Sequence, residues 1–229
     1  MGGFDPASLF TKYNAIGRYG VVAETGGTVD STLETYLDLS GQDMHFTQSS
    51  PENQPTLKLD GSGRKYLEFD GSNDLMAVNL GAAPTGDFTA ILIGALRAIP
   101  ATAITYGRRS GTIGGWFLGA TNSPNVVRTF IYPNTGTAKI VDLAYTPTNI
   151  YRQALRRSGN VNATFLNGEK EDEYTHAMGA SSTALTLGAF NSSAQQAQLN
   201  CYAEFFIEVA LTDAEIIAVK ANLMRRAGF

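Results

Sequence analysis

Hydrophobic and polar residues alternate with a period of two along most of the chain from Thr56 onward. This alternation is typical of β-strands with one covered and one exposed face. Turn-forming Gly, Asn, Asp and Pro residues separate the runs, which number about twelve. The clearest runs are TLKLD, YLEF, FTAILIGAL, GGWFLGA, VVRTFIY, TAKIVDLAY, YRQALRRS, VNATFL, ALTLGAF and YAEFFIEVA. The pattern predicts an all-β sandwich or jelly roll.

Two of these runs carry more specific predictions. FTAILIGAL (88–96) is apolar at successive positions, which favours a central strand covered on both faces or a strand that faces a partner. In YAEFFIEVA (202–210), alternation predicts that the odd-numbered apolar residues face the core. Glu204 and Glu208 are then expected to face solvent.

Two short polar stretches predict turns. Asn167-Gly168 lies between two strand runs and predicts a hairpin, because both positions of a type I′ turn need a positive φ. The stretch DGSND (70–74) predicts a second hairpin turn between the runs on either side of it. The alternative is a Ca²⁺ site, since Asp70, Asn73 and Asp74 offer closely spaced oxygen ligands.

A single strong helix is predicted at the end of the chain. Thr212 and Glu215 have the spacing of a capping box at its start. Arg225 and Arg226 suit its C-terminal end, and Gly228 provides a stop. The helix carries an apolar stripe and is expected to pack against the edge of the sandwich, where it would cover strand ends.

The first 35 residues lack clear strand periodicity, apart from a short helical segment expected after Asp5-Pro6. Residues 1–35 are therefore assigned to an N-terminal arm or anchoring segment, with a lead-in strand as the other interpretation, and residues 36–229 to the main domain. The N-terminus has no signal-peptide pattern, and no apolar stretch approaches about 18 residues, so neither secretion by that route nor membrane insertion is expected.

Composition and charge argue against some classes of function. The net charge is −4 and the pI about 5.2, which argues against a nucleic-acid-binding surface. Charged residues make up 17% and Gly residues number 24, as expected for a turn-rich β protein. Cys201 is the one cysteine, so no disulfide can form within the chain, and its apolar surroundings predict a buried, inert thiol.

Four stretches in order resemble a laminin G-like, concanavalin A-like jelly roll, of the kind found in tailed-phage virion proteins and extracellular binding modules. They are DLSGQDMHFTQSSPENQPTL (38–57), YLEFDGSNDLM (66–76), LRRSGNVNATFLNGEKED (155–172) and the segment from LTLGAF to LMRRAG (185–228). The last one departs from the family pattern, with Gln or Leu in place of Gly before the final strand. The resemblance implies a two-sheet antiparallel jelly-roll sandwich with one C-terminal α-helix, and binding of carbohydrates or proteins rather than catalysis.

The acidic residues do not form a pattern typical of a glycosidase on this fold. The dense run 169–173 follows the Asn167-Gly168 turn without apolar alternation and is interpreted as a solvated hairpin arm. Glu204 and Glu208 are about 13 Å apart along a strand, which exceeds the separation of about 5 Å in a retaining pair. No enzymatic activity is therefore expected.

Sugar binding would need exposed aromatic and amide side chains at the rim of the sandwich. Trp116, Tyr106 and Tyr145 are further aromatic candidates for this role, and Trp116 is better interpreted as a core residue. The selected rim candidates are Tyr132, Asn134, Asn191 and Gln195.

Together these observations predict a non-enzymatic structural or binding protein of a phage virion, exposed on tail, fibre or capsid and assembled in the bacterial cytoplasm. Expected partners are neighbouring virion proteins, further copies of the chain in a homo-oligomer, and a host-surface glycan. No cofactor is expected apart from the alternative Ca²⁺. The competing hypothesis is a stand-alone lectin or glycoside hydrolase of the same fold.

Overall fold

The computed structural model describes residues 4–81, 86–98, 103–110, 113–120, 126–133, 136–146, 149–180, 182–189 and 196–229. The strands are β1 Gly17–Val21, β2 Thr35–Tyr36, β3 Phe46–Thr47, β4 Thr56–Leu59, β5 Lys65–Asp70, β6 Met76–Asn79, β7 Phe88–Ala98, β8 Ala103–Ser110, β9 Ile113–Ala120, β10 Val126–Tyr132, β11 Lys139–Ala144, β12 Tyr151–Ser158, β13 Val161–Leu166, β14 Glu169–Thr175, β15 Ala184–Leu187 and β16 Gln198–Ile207. The α-helices are α1 Ala7–Tyr13 and α2 Asp213–Arg226, and short 3₁₀ helices span Val22–Glu24 and Pro51–Asn53.

Within the described residues, the strands form two antiparallel sheets of eight strands each. Sheet A has the order β14-β13-β12-β7-β16-β5-β4, and β1 also pairs with β16. Sheet B has the order β11-β10-β9-β8-β15-β6-β3-β2. Strand β7 lies between β12 and β16 and its apolar residues are buried, which confirms the prediction of a central covered strand. The predicted two-sheet sandwich with a C-terminal helix is likewise confirmed.

The main core fills the space between the two sheets. Trp116 of sheet B stacks on Phe88 and Phe206 of sheet A, with ring centroids 4.9 and 5.8 Å apart. Its side chain is fully buried, which confirms it as a core residue. Cys201 belongs to the same cluster, and burial raises the pKa of its thiol well above the ordinary value, as expected of an inert cysteine.

A second apolar layer covers the outer face of sheet A. Ile216, Val219 and Leu223 of α2 belong to one buried cluster with residues of β7, β13 and β16. Helix α2 therefore lies across the face of the sheet, and the prediction that it covers the sandwich edge was wrong. The apolar stripe finds more surface to bury on the face of the central strands than at strand ends.

In β16, the residues that face the space between the sheets are not those that simple alternation predicts. The pairing with β7 shifts register between Cys201 and Ala203, and such a bulge exchanges the two faces of a strand. Glu204 consequently points into the space between the sheets and is fully buried, and Glu208 is half-buried beside Arg108. The prediction that both carboxylates face solvent was wrong. The odd-numbered apolar residues after the bulge face the helical layer.

The stretch around DGSND is not a hairpin, contrary to the prediction. Strand β5 before it pairs with β4 and β16 in sheet A, and β6 after it pairs with β3 and β15 in sheet B. The turn therefore carries the chain from one sheet to the other. Turn residues and alternation are the same for both arrangements, so neither reveals which strands will pair.

Two local predictions are confirmed at the level of single atoms. Asn167 and Gly168 have φ values of 53° and 116° and join β13 to β14. Thr212 Oγ1 accepts a hydrogen bond from the Glu215 N–H at 3.2 Å, and Glu215 Oε2 accepts one from the Thr212 N–H at 2.9 Å. The hairpin turn and the capped helix α2 both line a cavity that is described below.

The N-terminal segment packs on the sandwich. Strand β1 pairs with β16, and Phe10 of α1 and Tyr19 of β1 are buried together. Lys12 Nζ lies 2.6 Å from Glu215 Oε1, so α1 is also linked to α2. Residues 17–21 thus form the lead-in strand, while an anchoring role for residues 1–35 stays a prediction. Neither described helix combines the length and hydropathy that a membrane crossing would need.

Candidate functional site

The turn that joins the sheets brings Asp70, Asn73 and Asp74 together, as the sequence suggested. Asp70 Oδ1 accepts a hydrogen bond from the Ser72 N–H at 2.7 Å. Asp74 Oδ2 accepts one from the Asp70 N–H at 2.8 Å, and the Asn73 amide donates to the Glu52 carbonyl. These contacts close the turn on itself, as Asx turns do.

Asp74 is the most buried of these three residues. Burial raises the pKa of its carboxyl group to about 6, and the nearby carboxylates of Asp70 and Glu68 act in the same direction. Within the described part of the chain, no group of three or more His, Cys, Asp or Glu residues is placed to hold a metal ion. The Ca²⁺ site stays an untested alternative to a turn alone.

Of the four predicted sugar-binding residues, the structure describes only Tyr132. Asn134, Asn191 and Gln195 lie outside the described residues. Tyr132 lies at the end of β10, where its ring stacks near Phe117 and Phe130 at centroid distances of 5.7 and 6.1 Å. This half-buried aromatic group lies on sheet B, and its role in sugar binding stays a prediction.

A different concave surface lies where α2 faces the turn between β13 and β14. Two adjoining cavities of about 430 and 520 Å³ share Arg152 and Asn167 in their walls. The first is bounded by α2, and the second by the loop that follows β11. We call the two together the Arg152 cleft. Their volumes fall within the range of small-molecule sites, about 300–1,000 Å³.

One face of α2 forms the first wall of the Arg152 cleft. The lining residues of the helix recur at intervals of three and four, so they share a face beside the buried stripe. They are Ile217, Lys220, Ala221, Met224 and Arg225. The side chain of Ile217 is 53% exposed, which leaves an apolar surface open to a ligand. The wall is therefore apolar with two cationic groups set into it.

The second wall is the Asn167-Gly168 turn. The Asn167 N–H donates to the Arg152 carbonyl at 2.9 Å, and the Arg152 N–H donates to Asn167 Oδ1 at 3.2 Å. The second of these bonds fixes the exposed Asn167 side chain by its oxygen. Its amide NH₂ has no acceptor among the described residues, so it can donate to a ligand.

The third wall is the loop after β11. Tyr145 is buried, and its hydroxyl lies 3.0 Å from the Asn149 carbonyl and 3.2 Å from the Leu96 N–H. These bonds hold Tyr145 and the Asn149 backbone against the core, and the Asn149 side chain is exposed at the cavity. Tyr145 and the fully buried Tyr106 are thus structural residues rather than sugar-stacking ones.

The electrostatic character of the Arg152 cleft is set by Arg152, Lys220 and Arg225. Lys220 is 4% exposed, and within the described chain neither its Nζ nor Arg152 Nε has a hydrogen-bond partner. Burial lowers the pKa of Lys220, and the positive charge of Arg152 lowers it further, while Glu169 opposes both. The cleft therefore holds an excess of positive charge.

Sequence reasoning missed Lys220 and Arg152. A signal for Lys220 was present, because it lies three residues after Ile217 and four before Met224, on the flank of the apolar stripe. A lysine within such a flank must either extend to solvent or lie in a cavity. Arg152 carried no comparable signal, since its position depends on the pairing of β12 with β13.

The carboxylates near the cleft do not form a catalytic pair. Glu169 is the one acidic residue among its described lining residues. Glycoside hydrolysis needs two carboxyl groups about 5–9.5 Å apart in most families. Glu204 lies between the sheets and outside the cleft. The described lining is thus suited to binding rather than to acid–base chemistry.

No family model matches the sequence, and no curated protein sequence matches it. Among solved structures, the fold is similar to the binding domain of botulinum neurotoxin serotype D, with a TM-score of 0.66, 11% identity and coverage of 90% of this chain and 52% of that one. A ligand binding domain of the same serotype, in complex with N-acetylneuraminic acid, gives a TM-score of 0.66 at 11% identity, covering 90% of this chain and 50% of that chain. The chain spans about half the length of these two structures.

A third similar structure is an enzyme. Trypanosoma rangeli sialidase in complex with sialic acid has a TM-score of 0.65 and 11% identity, covering 93% of this chain and 33% of the sialidase chain. At such low identity these likenesses show a shared β-sandwich fold and no more.

Proposed function

We propose that this chain is a non-enzymatic glycan-binding module on the surface of a tailed-phage virion. The observation that carries the binding role is the Arg152 cleft, in which exposed amides, a guanidinium and an apolar helix face meet. Sugars are bound by such a mixture, because their hydroxyls need hydrogen-bond partners and their C–H faces need apolar contact.

Further support comes from the named ligands of proteins with this fold. Two of the similar structures are complexes with N-acetylneuraminic acid or sialic acid. Another concerns a botulinum neurotoxin whose cell entry depends on two ganglioside molecules. The fold therefore recurs in proteins whose structures concern sugar binding, and the Arg152 cleft is the surface on which this chain would bind a sugar.

A glycan array is the direct test of binding. Wild-type protein should bind a restricted set of glycans, and Arg152→Met should lose that binding. Arg128→Met is the matched control, because Arg128 is paired with Asp142 on sheet B and lies outside the cleft. An array without a single bound glycan would overturn the proposal.

The virion role rests on the four stretches that resemble phage jelly rolls. It predicts a homo-oligomer in light scattering and flanking tail or capsid genes in the genome that encodes the chain. A monomer encoded among genes for sugar metabolism would favour a stand-alone lectin instead.

The sialidase likeness gives the hydrolase alternative its one specific support. A cleavage assay on the glycans bound in the array distinguishes it from a binding module. Glu169 is the acid to replace, by Glu169→Gln, because it lines the cleft. Cleavage that disappears in this variant would contradict the non-enzymatic proposal.

A further inference from the structure

The ammonium group of Lys220 is buried without a partner. Its Nζ has almost no solvent contact, and no described residue accepts a hydrogen bond from it. It lies beside the Asn167-Gly168 turn, since a Cβ on Gly168 would be 3.7 Å from it. A buried charge of this kind costs free energy unless a partner of opposite charge is supplied.

The surrounding charges do not supply that partner. Arg152 adds a second positive charge close enough to act on Lys220, and Arg225 lines the same cavity. Glu169 is the opposite charge that acts on Lys220, but it forms no ion pair within 4.0 Å with any of these three in the described chain. Elsewhere in the described sandwich, the buried side chains of Arg18 and Arg108 are each paired with a glutamate. The buried ammonium of Lys220 has no such counterion in the described structure.

We infer that the Arg152 cleft takes the carboxylate of an acidic sugar, an assignment that rests on the proposed glycan-binding function. Arg152 offers the planar fork that matches a carboxylate. The four-carbon stem of Lys220 allows its Nζ to rotate toward a bound anion. Ile217 and Met224 offer an apolar surface to the sugar ring, and the Asn167 amide can reach a hydroxyl.

The size of the helix-side cavity agrees with this assignment. Its volume is about 430 Å³, which suits one or two sugar units rather than an extended chain. The second cavity, beyond Arg152 and Asn167, can take the next unit against the Asn149 amide. An acidic residue at the end of a glycan would then occupy the helix side.

The test compares acidic and neutral sugars on matched variants. The probes are N-acetylneuraminic acid, its neutral methyl ester, galacturonic acid and N-acetylglucosamine, titrated in calorimetry or NMR. Lys220→Met and Arg152→Met each remove one positive charge from the cleft. Lys170→Met removes one positive charge from the adjoining β13–β14 hairpin, outside the cleft, where Lys170 pairs with Glu173.

The expected result is that at least one acid binds and that its methyl ester binds at least about tenfold more weakly, because a charge-assisted contact is lost. Lys220→Met and Arg152→Met should weaken binding of the acidic sugar by a similar factor. Lys170→Met should weaken that binding by less than about twofold. Thermal melting shows that each variant is folded.

Two other outcomes separate this inference from the proposed function. Neutral sugars that bind without disturbing the Lys220 signals would overturn the inference and leave glycan binding standing, as would equal binding of acid and ester. Failure of every sugar to bind, in the titrations and on the array, would overturn both.

Discussion

Arg18 and Glu204 form an ion pair that is fully enclosed between the two sheets, with Arg18 Nη2 2.6 Å from Glu204 Oε1. The guanidinium also donates to the Met44 carbonyl at 2.8 Å, and Tyr106 donates its hydroxyl hydrogen to Glu204 Oε2 at 2.8 Å. Strand β1 thus brings a charge into the core that β16 neutralises, which makes the N-terminal segment part of the folded unit.

We predict that Arg18→Met lowers the free energy of unfolding by about 3–5 kcal/mol, because it leaves Glu204 buried without its counterion. The double variant Arg18→Met, Glu204→Met should recover most of that loss, since an apolar pair needs no counterion. Chemical denaturation measures both. Lys58→Met is the control, because the exposed Lys58–Asp30 pair should contribute almost nothing. A small loss in Arg18→Met would show that the pair is not buried as described.

The raised pKa of Asp74 should be visible in the pH dependence of the free energy of unfolding. Its pKa is raised by burial to about 6, against about 3.9 in an unfolded chain. The folded state then holds this proton more tightly, so stability falls as pH rises from about 4 to 6 and the penalty persists above 6.

Asp74→Asn keeps an oxygen for the Asp70 N–H and removes the charge. Its stability relative to wild type should therefore increase between pH 4 and 6 and then level off, as measured by denaturation at each pH. Asp70, Glu68 and Arg97 also face this group and contribute in both proteins.

The Ca²⁺ alternative at Asp70, Asn73 and Asp74 can be tested by melting. The carboxylates of Asp70 and Asp74 both accept backbone hydrogen bonds within the turn. We therefore predict the same Tm in millimolar CaCl₂ and in EDTA. A Tm that increases with CaCl₂ in wild type, and not in Asp74→Asn, would establish the metal site and contradict the interpretation of this stretch as a turn alone.

Lys220 should destabilise the protein in the absence of an anionic ligand. We predict that Lys220→Met raises the free energy of unfolding at pH 7 by about 1–3 kcal/mol, since it removes a buried donor without a partner. Because the pKa of Lys220 is lowered in the fold, the penalty should be relieved as pH rises from that lowered pKa toward about 10.4. The advantage of the variant should shrink over that range.

The groups that face Lys220 are Arg152 of β12, Glu169 of β14 and Arg225 of α2, and they remain in place in the variant. Denaturation in chloride buffers, without carboxylate or phosphate, measures the effect. Lys170→Met serves as the control and should not show the gain, because Lys170 is exposed and paired with Glu173. A loss of stability in Lys220→Met would mean that the ammonium has an anionic partner within the protein.

The sequence was sufficient for features that depend on local chemistry. The Asn167-Gly168 hairpin and the Thr212–Glu215 capping box were predictable because each is determined by a few neighbouring side chains. The central position of β7 followed from its apolar residues on both faces. The jelly-roll class followed from the spacing of strands and from the resemblance.

Features that depend on strand pairing were not predictable in this way. The bulge between Cys201 and Ala203 exchanges the two faces of β16, and no residue type in that strand predicts the bulge. The turn after β5 has hairpin chemistry yet joins two sheets. The Arg152 cleft combines β12, the 167–168 turn and α2, so its residues meet only after folding. Sequence patterns therefore pointed to Tyr132 and the polar loops instead.

The measurement that tests the central claim most directly is an NMR map of the binding surface. ¹⁵N-labelled protein is titrated with a glycan selected on the array. We predict that the largest chemical-shift changes occur at Asn149, Asn167, Gly168 and Lys220, and that the core residue Trp116 is unaffected. Changes centred on Tyr132 and the outer face of sheet B, with the Arg152 cleft unmoved, would contradict the account.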